Sequence, residues 1–177
     1  MSILNESQAQ FLSAPVGEAR AQSTARTTVP ENGMSFVSGS TSEPLLFKTI
    51  PQVLRETVAR HGPRDAIVVP AQNRRLTYYD FDREVDALAT GFLALGLNKG
   101  DRVGIWSPNR FEWVLTQFAT ARIGLILVNI NPAYRLAELE YALNKVTCKA
   151  IIIAENFKTS EYLKMIRELA PELEHCA

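Results

Sequence analysis

The stretch ARIGLILVNINP, residues 121–132, decides the predicted fold of this chain. A helical pattern ends at Gly124, the residue type that most often stops a helix. Four apolar residues follow without interruption, Leu125–Val128, and such a run is typical of a strand that is buried on both faces of a parallel sheet. The run Asn129-Ile130-Asn131-Pro132, with two side-chain amides and a rigid proline, comes next at the carboxyl end of that strand. The stretch therefore predicts a helix, a tight turn and a buried parallel strand.

Two more apolar strands flank this one, at Val103–Trp106 and at Ala150–Ile153. Helical patterns separate and follow the three strands. Asn109 and Glu112 are predicted to open the first helix, and Pro171 to close the last. Alternation of apolar strands with helices predicts the fold class: α/β, a doubly wound parallel sheet with helices on both faces. The apolar positions that define the three helices are Phe111, Val114, Leu115 and Phe118; Leu136, Leu139, Leu143 and Val146; and Tyr162, Ile166 and Leu169.

Upstream, the pattern predicts a helix, a hairpin and a second, longer helix. Thr49 and Gln52 form a capping box for the first helix, which Gly62-Pro63 ends. Ala66–Val69 and Arg75–Thr77 are predicted to pair across a polar turn at Gln72-Asn73. Thr77 caps the longer helix and Gly96 stops it. Its apolar stripe is Phe81, Val85, Leu88, Ala89 and Phe92.

Residues 1–33 differ from the rest of the chain. They are rich in Ser, Thr, Ala and Gln, and they contain few large apolar residues. Such a segment cannot bury enough surface to offset its ordering entropy, so it is predicted to be a disordered amino-terminal extension to a domain at 34–177. A transit peptide is the alternative, although this segment carries acidic residues that transit peptides usually lack.

The composition excludes several classes of function. Lys plus Arg and Asp plus Glu number 19 each, so the net charge is near zero and nothing favours nucleic acid or an anionic membrane. No apolar run approaches the roughly 20 residues of a transmembrane helix. The two cysteines, Cys148 and Cys176, lack metal-ligand spacing and form no disulfide framework, which favours a reducing compartment.

The candidates for chemistry are few. The sequence contains no G-x-G-x-x-G, no G-x-x-x-x-G-K-[ST] and no G-x-S-x-G motif. Ser107 and the run 129–132 both follow strands at the edge where α/β proteins bind ligands, but turn chemistry explains each of them. His61 and His175 have no second ligand or base close in sequence. The acids of the longer helix, Asp80, Asp82, Glu84 and Asp86, are predicted to form a solvated face.

Three motifs together resemble those of a known superfamily. Leu76-Thr77-Tyr78-Tyr79-Asp80-Phe81 resembles the first core motif of the adenylate-forming enzymes, with Asp80 and Phe81 in place of Glu and Leu. Residues 121–132 resemble the second core motif, and the run Gly96–Val103 resembles the segment that links them. Residues from about 34 onward are similar to the opening of fatty acid–CoA ligases of the medium-chain, acyl-CoA synthetase family member 2 type.

The resemblance implies a two-step activity for the full-length family. Those ligases activate a fatty acid with ATP and Mg²⁺ to an acyl-adenylate, and then transfer the acyl group to CoA. The family's "TSGTTG-x-PKG" phosphate loop, its adenine-binding motifs and its carboxyl-terminal Lys have no match in this sequence. No catalytic, cofactor-binding or metal-binding residue is therefore assigned, and the chain is predicted to be a ligase fragment that binds none of these cofactors and is inactive alone.

Several expectations remain open at the level of sequence. A freestanding α/β binding or interaction module is the alternative to a ligase fragment, because a fold does not determine a function. Apolar strands without full cover predict low stability and self-association. The cytoplasm is the expected compartment, with the mitochondrial matrix as the alternative, and the acyl chain length cannot be predicted from these residues.

Overall fold

The computed structural model describes residues 42 and 44–175, within which a compact unit begins at Phe47. The predicted disorder of residues 1–33 lies outside the described residues. The helices are α1 Ile50–His61, α2 Tyr78–Ala94, α3 Phe111–Ile123, α4 Leu136–Val146 and α5 Tyr162–Leu169. The strands are β1 Asp65–Val69, β2 Arg74–Thr77, β3 Arg102–Trp106, β4 Ile126–Ile130, β5 Ala150–Ile153, β6 Asn156–Phe157 and β7 Ser160–Glu161. Short 3-10 turns cover Pro70–Gln72 and Pro171–His175. Among the described residues, no helix is long and apolar enough to cross a bilayer.

The central sheet has three parallel strands in the order β4-β3-β5. In the middle strand, Ile105 lies opposite Asn129 of β4 and Ile152 of β5. Helices connect the strands, as parallel pairing requires, because a tight hairpin cannot return the chain to the same end of the sheet. The predicted α/β class with a parallel sheet is confirmed. The predicted hairpin of β1 and β2 is also present and antiparallel.

The two faces of the sheet bury different clusters of side chains. Val103 and Ile152 belong to one cluster together with residues of α1, α2 and α3. Trp106, Ile151 and Ile153 belong to the other, together with residues of α4 and α5. Side chains alternate between the faces along each strand, so continuous apolar sequence is what a sheet covered on both faces needs.

The prediction that all three strands are buried on both faces is wrong for the two edge strands, β4 and β5. All four residues of β5 are only partly buried. Strand β4 begins at Ile126, which is 52% exposed. Leu125 precedes the strand and is buried at the turn. Val114, which was expected in the apolar stripe of α3, is likewise exposed.

The predicted signals at the start of α1, at both ends of α2 and at the end of α3 are confirmed. Thr49 with Gln52 and Thr77 with Asp80 form reciprocal capping boxes. Gly96 adopts a φ of 80°, and the Leu97 N–H donates to the Phe92 carbonyl at 3.1 Å, which closes α2 in a Schellman motif. Gly124 plays the same part for α3, with a φ of 74°. These stops aim the chain from each helix into the next strand.

The acids of α2 do not all form a solvated face, which corrects the prediction. Asp82 and Asp86 both pair with Arg122 of α3, whose guanidinium Nε lies 3.4 Å from the Asp86 carboxylate. Glu84 pairs with Arg74 of β2 at 2.7 Å. The partners of these three acids lie on other elements of the fold, whereas Asp80 pairs with the exposed Arg83 of α2 itself. The prediction of a solvated face is therefore wrong for Asp82 and Glu84, which make tertiary ion pairs.

The run Gly96–Val103 builds the amino edge of the sheet. The buried Asp101 accepts from the Asn98 N–H at 2.8 Å and pairs with Lys149 at 2.9 Å. The Arg102 guanidinium donates to the Val146 carbonyl at 2.7 Å and to the Thr147 carbonyl at 3.0 Å, so it satisfies the last carbonyls of α4. The side chains of this run therefore stabilise the fold at the end opposite to the candidate site.

Candidate functional site at the carboxyl edge of the sheet

The carboxyl ends of the three parallel strands meet at one edge of the sheet. A cleft of about 210 Å³ opens there beside β3 and β5, and Ser107, Arg110, Glu112 and Glu155 supply its polar lining. Ligands of open parallel sheets bind outside this edge, so it is the first place to examine for chemistry.

Ser107 is 4% exposed and directly follows β3. Its hydroxyl donates to the Pro108 carbonyl at 2.9 Å and makes no hydrogen bond to a base among the described residues. A nucleophilic serine needs a base within hydrogen-bond reach. The hydroxyl therefore acts in the turn between β3 and α3, as the sequence predicted.

The start of α3 corrects another prediction. Asn109 and Glu112 do not form a capping box; the N-cap is Arg110, whose side chain makes no capping bond. Instead, the Gln72 side-chain oxygen accepts from the Phe111 N–H at 2.7 Å, and its NH₂ group donates to the Glu112 carboxylate at 2.9 Å. One amide of the β1–β2 turn therefore satisfies the first N–H of α3 and also binds the carboxylate in its first turn. These hydrogen bonds also connect the β1–β2 hairpin to the carboxyl edge of the sheet.

Glu112 is held in its charged form by this arrangement. Its hydrogen bond from Arg110 is the largest cause, aided by the bond from Gln72, and together they lower the pKa of Glu112 from 4.5 to about 2. A folded-state pKa below the unfolded value adds stability above pH 4.5, and that stability is lost as the pH falls toward 2.

We expect Glu112→Gln to remove about 1 kcal/mol of unfolding free energy at pH 7, after discounting the shift for solvent exposure. The loss of stability between pH 4.5 and pH 2 should become correspondingly shallower. Urea melts across this pH range would measure both effects, with Glu140→Gln on α4 as the control for removal of a surface carboxylate. If Glu112→Gln lost as much stability between pH 4.5 and pH 2 as the unaltered chain, the stabilising role of the Glu112 carboxylate would be contradicted.

The run 129–132 is only partly a loop. Asn129 and Ile130 belong to β4, and the loop begins at Asn131. The Asn131 side-chain oxygen accepts from the Ala133 N–H at 2.9 Å, which is an Asx turn. The turn interpretation that the sequence favoured is confirmed.

A pair of aromatic side chains holds this loop, a feature that sequence reasoning missed. The fully buried rings of Trp106 and Tyr162 stack with centroids 3.6 Å apart and planes 16° from parallel. The Trp106 indole N–H donates to the Asn131 carbonyl at 3.0 Å, and the Tyr162 hydroxyl donates to the Pro132 carbonyl at 2.5 Å. Two successive carbonyls are thereby fixed from the core, and burial raises the pKa of Tyr162, which keeps its proton in place for the bond.

The remaining candidates do not come together at this edge. His61 lies in the last turn of α1, and Cys148 is half-buried, with burial raising the pKa of its thiol. Within the described part of the chain, no three His, Cys, Asp or Glu side chains are placed to share a metal ion. Gly100 turns at the amino edge, where its N–H donates to the Gly124 carbonyl, and Gly104 lies inside β3 against Ile130.

Comparisons with known proteins agree with this architecture. Residues 54–176 match the model of the family described as AMP-binding enzyme. The chain is 46% identical over 148 residues to the human protein named medium-chain acyl-CoA ligase ACSF2, mitochondrial, and this covers 84% of the chain and 24% of the relative. The chain therefore spans about a quarter of the length of the curated relatives it matches.

Solved structures give the same result. A fatty acyl CoA synthetase of Mycobacterium tuberculosis is 28% identical, with a TM-score of 0.58 over 59% of this chain and 21% of that chain. The N-terminal domain of FACL13 from the same organism is 29% identical, with a TM-score of 0.58 over 60% of this chain and 27% of that chain. The matched residues include both core motifs and all three strands of the central sheet, and on this ground the chain belongs to the family of AMP-binding enzymes.

Proposed function

We propose that this chain supplies the amino-terminal scaffold of an ATP-dependent fatty acid–CoA ligase. In this proposal the complete enzyme joins a fatty acid to AMP, releasing pyrophosphate, and then passes the acyl group to the thiol of CoA with release of AMP. The observation that carries it is the family match across residues 54–176, together with relatives whose name is medium-chain acyl-CoA ligase.

The described residues do not fit a triphosphate or a magnesium ion. Phosphate cradles present several backbone N–H groups from a glycine-rich loop, whereas the Gly100 N–H is already bonded to Gly124. Two carboxylates that could offer oxygen ligands to Mg²⁺ are engaged in ion pairs, Asp101 with Lys149 and Glu112 with Arg110. We therefore assign no step of ATP chemistry to these residues, and their proposed work is to hold the carboxyl edge in shape.

A chimera tests this proposal. The 148 aligned residues of the human ligase would be replaced by those of this chain, and fatty-acid-dependent acyl-CoA formation would be measured with ATP, Mg²⁺ and CoA. We expect turnover within about tenfold of the human enzyme, because a scaffold can be exchanged when its core is compatible.

Variants of the chimera separate scaffold from catalyst. Ser107→Ala removes the hydroxyl at the mouth of the cleft, and we expect less than a twofold change in kcat because that hydroxyl bonds to Pro108. A general acid or base contributes roughly 10²–10⁴-fold, so a loss of that size in a folded variant would overturn the scaffold assignment. A folded chimera without turnover would contradict membership of a ligase of this type.

The chain by itself is proposed to form no acyl-adenylate. Fatty-acid-dependent exchange of pyrophosphate into ATP is the measurement, and turnover retained through purification would contradict it. A chain without turnover that binds fatty acid or CoA tightly would favour the alternative of a non-catalytic binding module.

For the cellular compartment we propose the cytoplasm, with the mitochondrial matrix as the alternative. The name of the ACSF2 relatives places those proteins in mitochondria, and this supports the alternative.

A further inference from the structure

The outer edge of β4 is open in the part of the chain that the structure describes, where β3 is its one neighbouring strand. The Ile126 N–H donates inward to the Asp101 carbonyl at 2.9 Å. Backbone groups point to alternate sides along a strand, so Leu127 and Asn129 direct their N–H and C=O groups outward. Two residues of β4 therefore offer four main-chain groups to a new partner.

This edge lacks the devices that usually protect an edge strand. Ile126–Ile130 contains no charge, no proline and no glycine. Natural edge strands are commonly blunted by Lys, Pro or a bulge. A short segment of high β-propensity and no charge is instead the type that pairs with another strand.

An apolar groove runs beside the same edge. It has a volume of about 470 Å³ and lies between β4 and α4, with Val128, Ile130 and Tyr141 in its lining. Tyr141 is 66% exposed, which is unusual for so large a side chain over an apolar surface. The two charged residues of the lining are Glu138 near the start of α4 and Lys145 near its end.

We propose that this face pairs with the same face of a second copy of the chain. The two β4 strands run antiparallel about a two-fold axis at Val128. Leu127 then lies opposite Asn129 of the partner subunit on both sides of the axis, and these two pairs exchange four main-chain hydrogen bonds. The result is one continuous sheet of six strands across the pair of chains.

Charge complementarity is the reason for choosing a second copy over another occupant. Glu138 and Lys145 are two turns apart on one side of α4. A two-fold axis perpendicular to the sheet places the two α4 helices antiparallel on the same face, so Glu138 of each copy meets Lys145 of the other. Tyr141 lies between these ends and meets its own equivalent. The surface is thus self-complementary in charge, as an isologous dimer interface must be.

Sedimentation of the purified chain over a concentration series tests the proposal. We expect a monomer–dimer equilibrium, and at least a tenfold weaker dimer for Lys145→Glu or for Glu138→Lys alone. Each of those variants juxtaposes like charges in its homodimer. Glu140→Lys makes the same change of charge on α4 outside the groove lining, and it should leave the dimer unchanged.

A mixture of the two charge variants gives the decisive measurement. Lys145→Glu protein and Glu138→Lys protein attract each other at both ends of the interface, so the equimolar mixture should regain dimerisation as a heterodimer. This result does not depend on whether Glu138→Lys also weakens the cap that Glu138 gives to α4. A chain that stays monomeric at high concentration, or a dimer indifferent to all of these changes, would overturn the proposal and leave the groove to another segment of a longer ligase.

Discussion

Trp106→Ala should remove about 3–5 kcal/mol of the free energy of unfolding, the range measured when a large buried aromatic is truncated. The side chain is fully buried at the end of β3 and stacks on Tyr162. Its indole N–H also satisfies the Asn131 carbonyl. Whole domains of this size are stable by roughly 5–15 kcal/mol, so the variant should be partly unfolded at 37 °C. Urea melting followed by far-UV circular dichroism measures the change.

Conservative variants at the same pair separate the ring from its hydrogen bond. Trp106→Phe keeps an aromatic ring in the stack but removes the indole donor, and Tyr162→Phe removes the hydroxyl alone. Each should lose about 1–2 kcal/mol, because a buried carbonyl is left without its partner. If Trp106→Ala were no more destabilising than Tyr162→Phe, the stack would not be a main contact between the sheet and α5.

The features of the fold that sequence predicted are those with short-range causes. Thr49 reaches Gln52 and Thr77 reaches Asp80 within three residues, so the caps can be read from the chain itself. The same holds for Gly96, whose positive φ serves the turn it occupies. Apolar runs likewise placed the three strands of the sheet, since burial on both faces admits few polar side chains.

The features that sequence missed depend on partners far along the chain. Gln72 caps α3 from 39 residues away, and no local pattern marks a glutamine in a turn as a helix cap. The edge position of β4 is set by strand order, which the apolar run 125–128 cannot encode. The sequence placed Trp106 at the end of a strand, but its stack on Tyr162 depends on α5, which lies more than 50 residues further along the chain.

The acids of α2 show the same limit, and they lead to the last prediction. Arg122→Ala should lower the free energy of unfolding by about 2–3 kcal/mol, somewhat less than the 3–5 kcal/mol known for breaking fully buried pairs. The Arg122 side chain is 14% exposed and the Asp82 side chain 25%, so water can only partly replace the lost partner. Asp82 and Asp86 are also four residues apart on one helix face, where two unpaired acids repel each other.

Arg83 offers a matched control for this ion pair. It also pairs with an acid of α2, Asp80, but its side chain is 78% exposed, and Arg83→Ala should change the stability by less than about 0.5 kcal/mol. A double-mutant cycle of Arg122→Met and Asp82→Asn isolates the coupling between the α2 and α3 partners, which should exceed 1 kcal/mol and decrease only slightly in 1 M salt. Equal effects of Arg122→Ala and Arg83→Ala would contradict the role given to Arg122. In that case the apolar contacts of α2 and α3, and not their charges, would fix the two helices against each other.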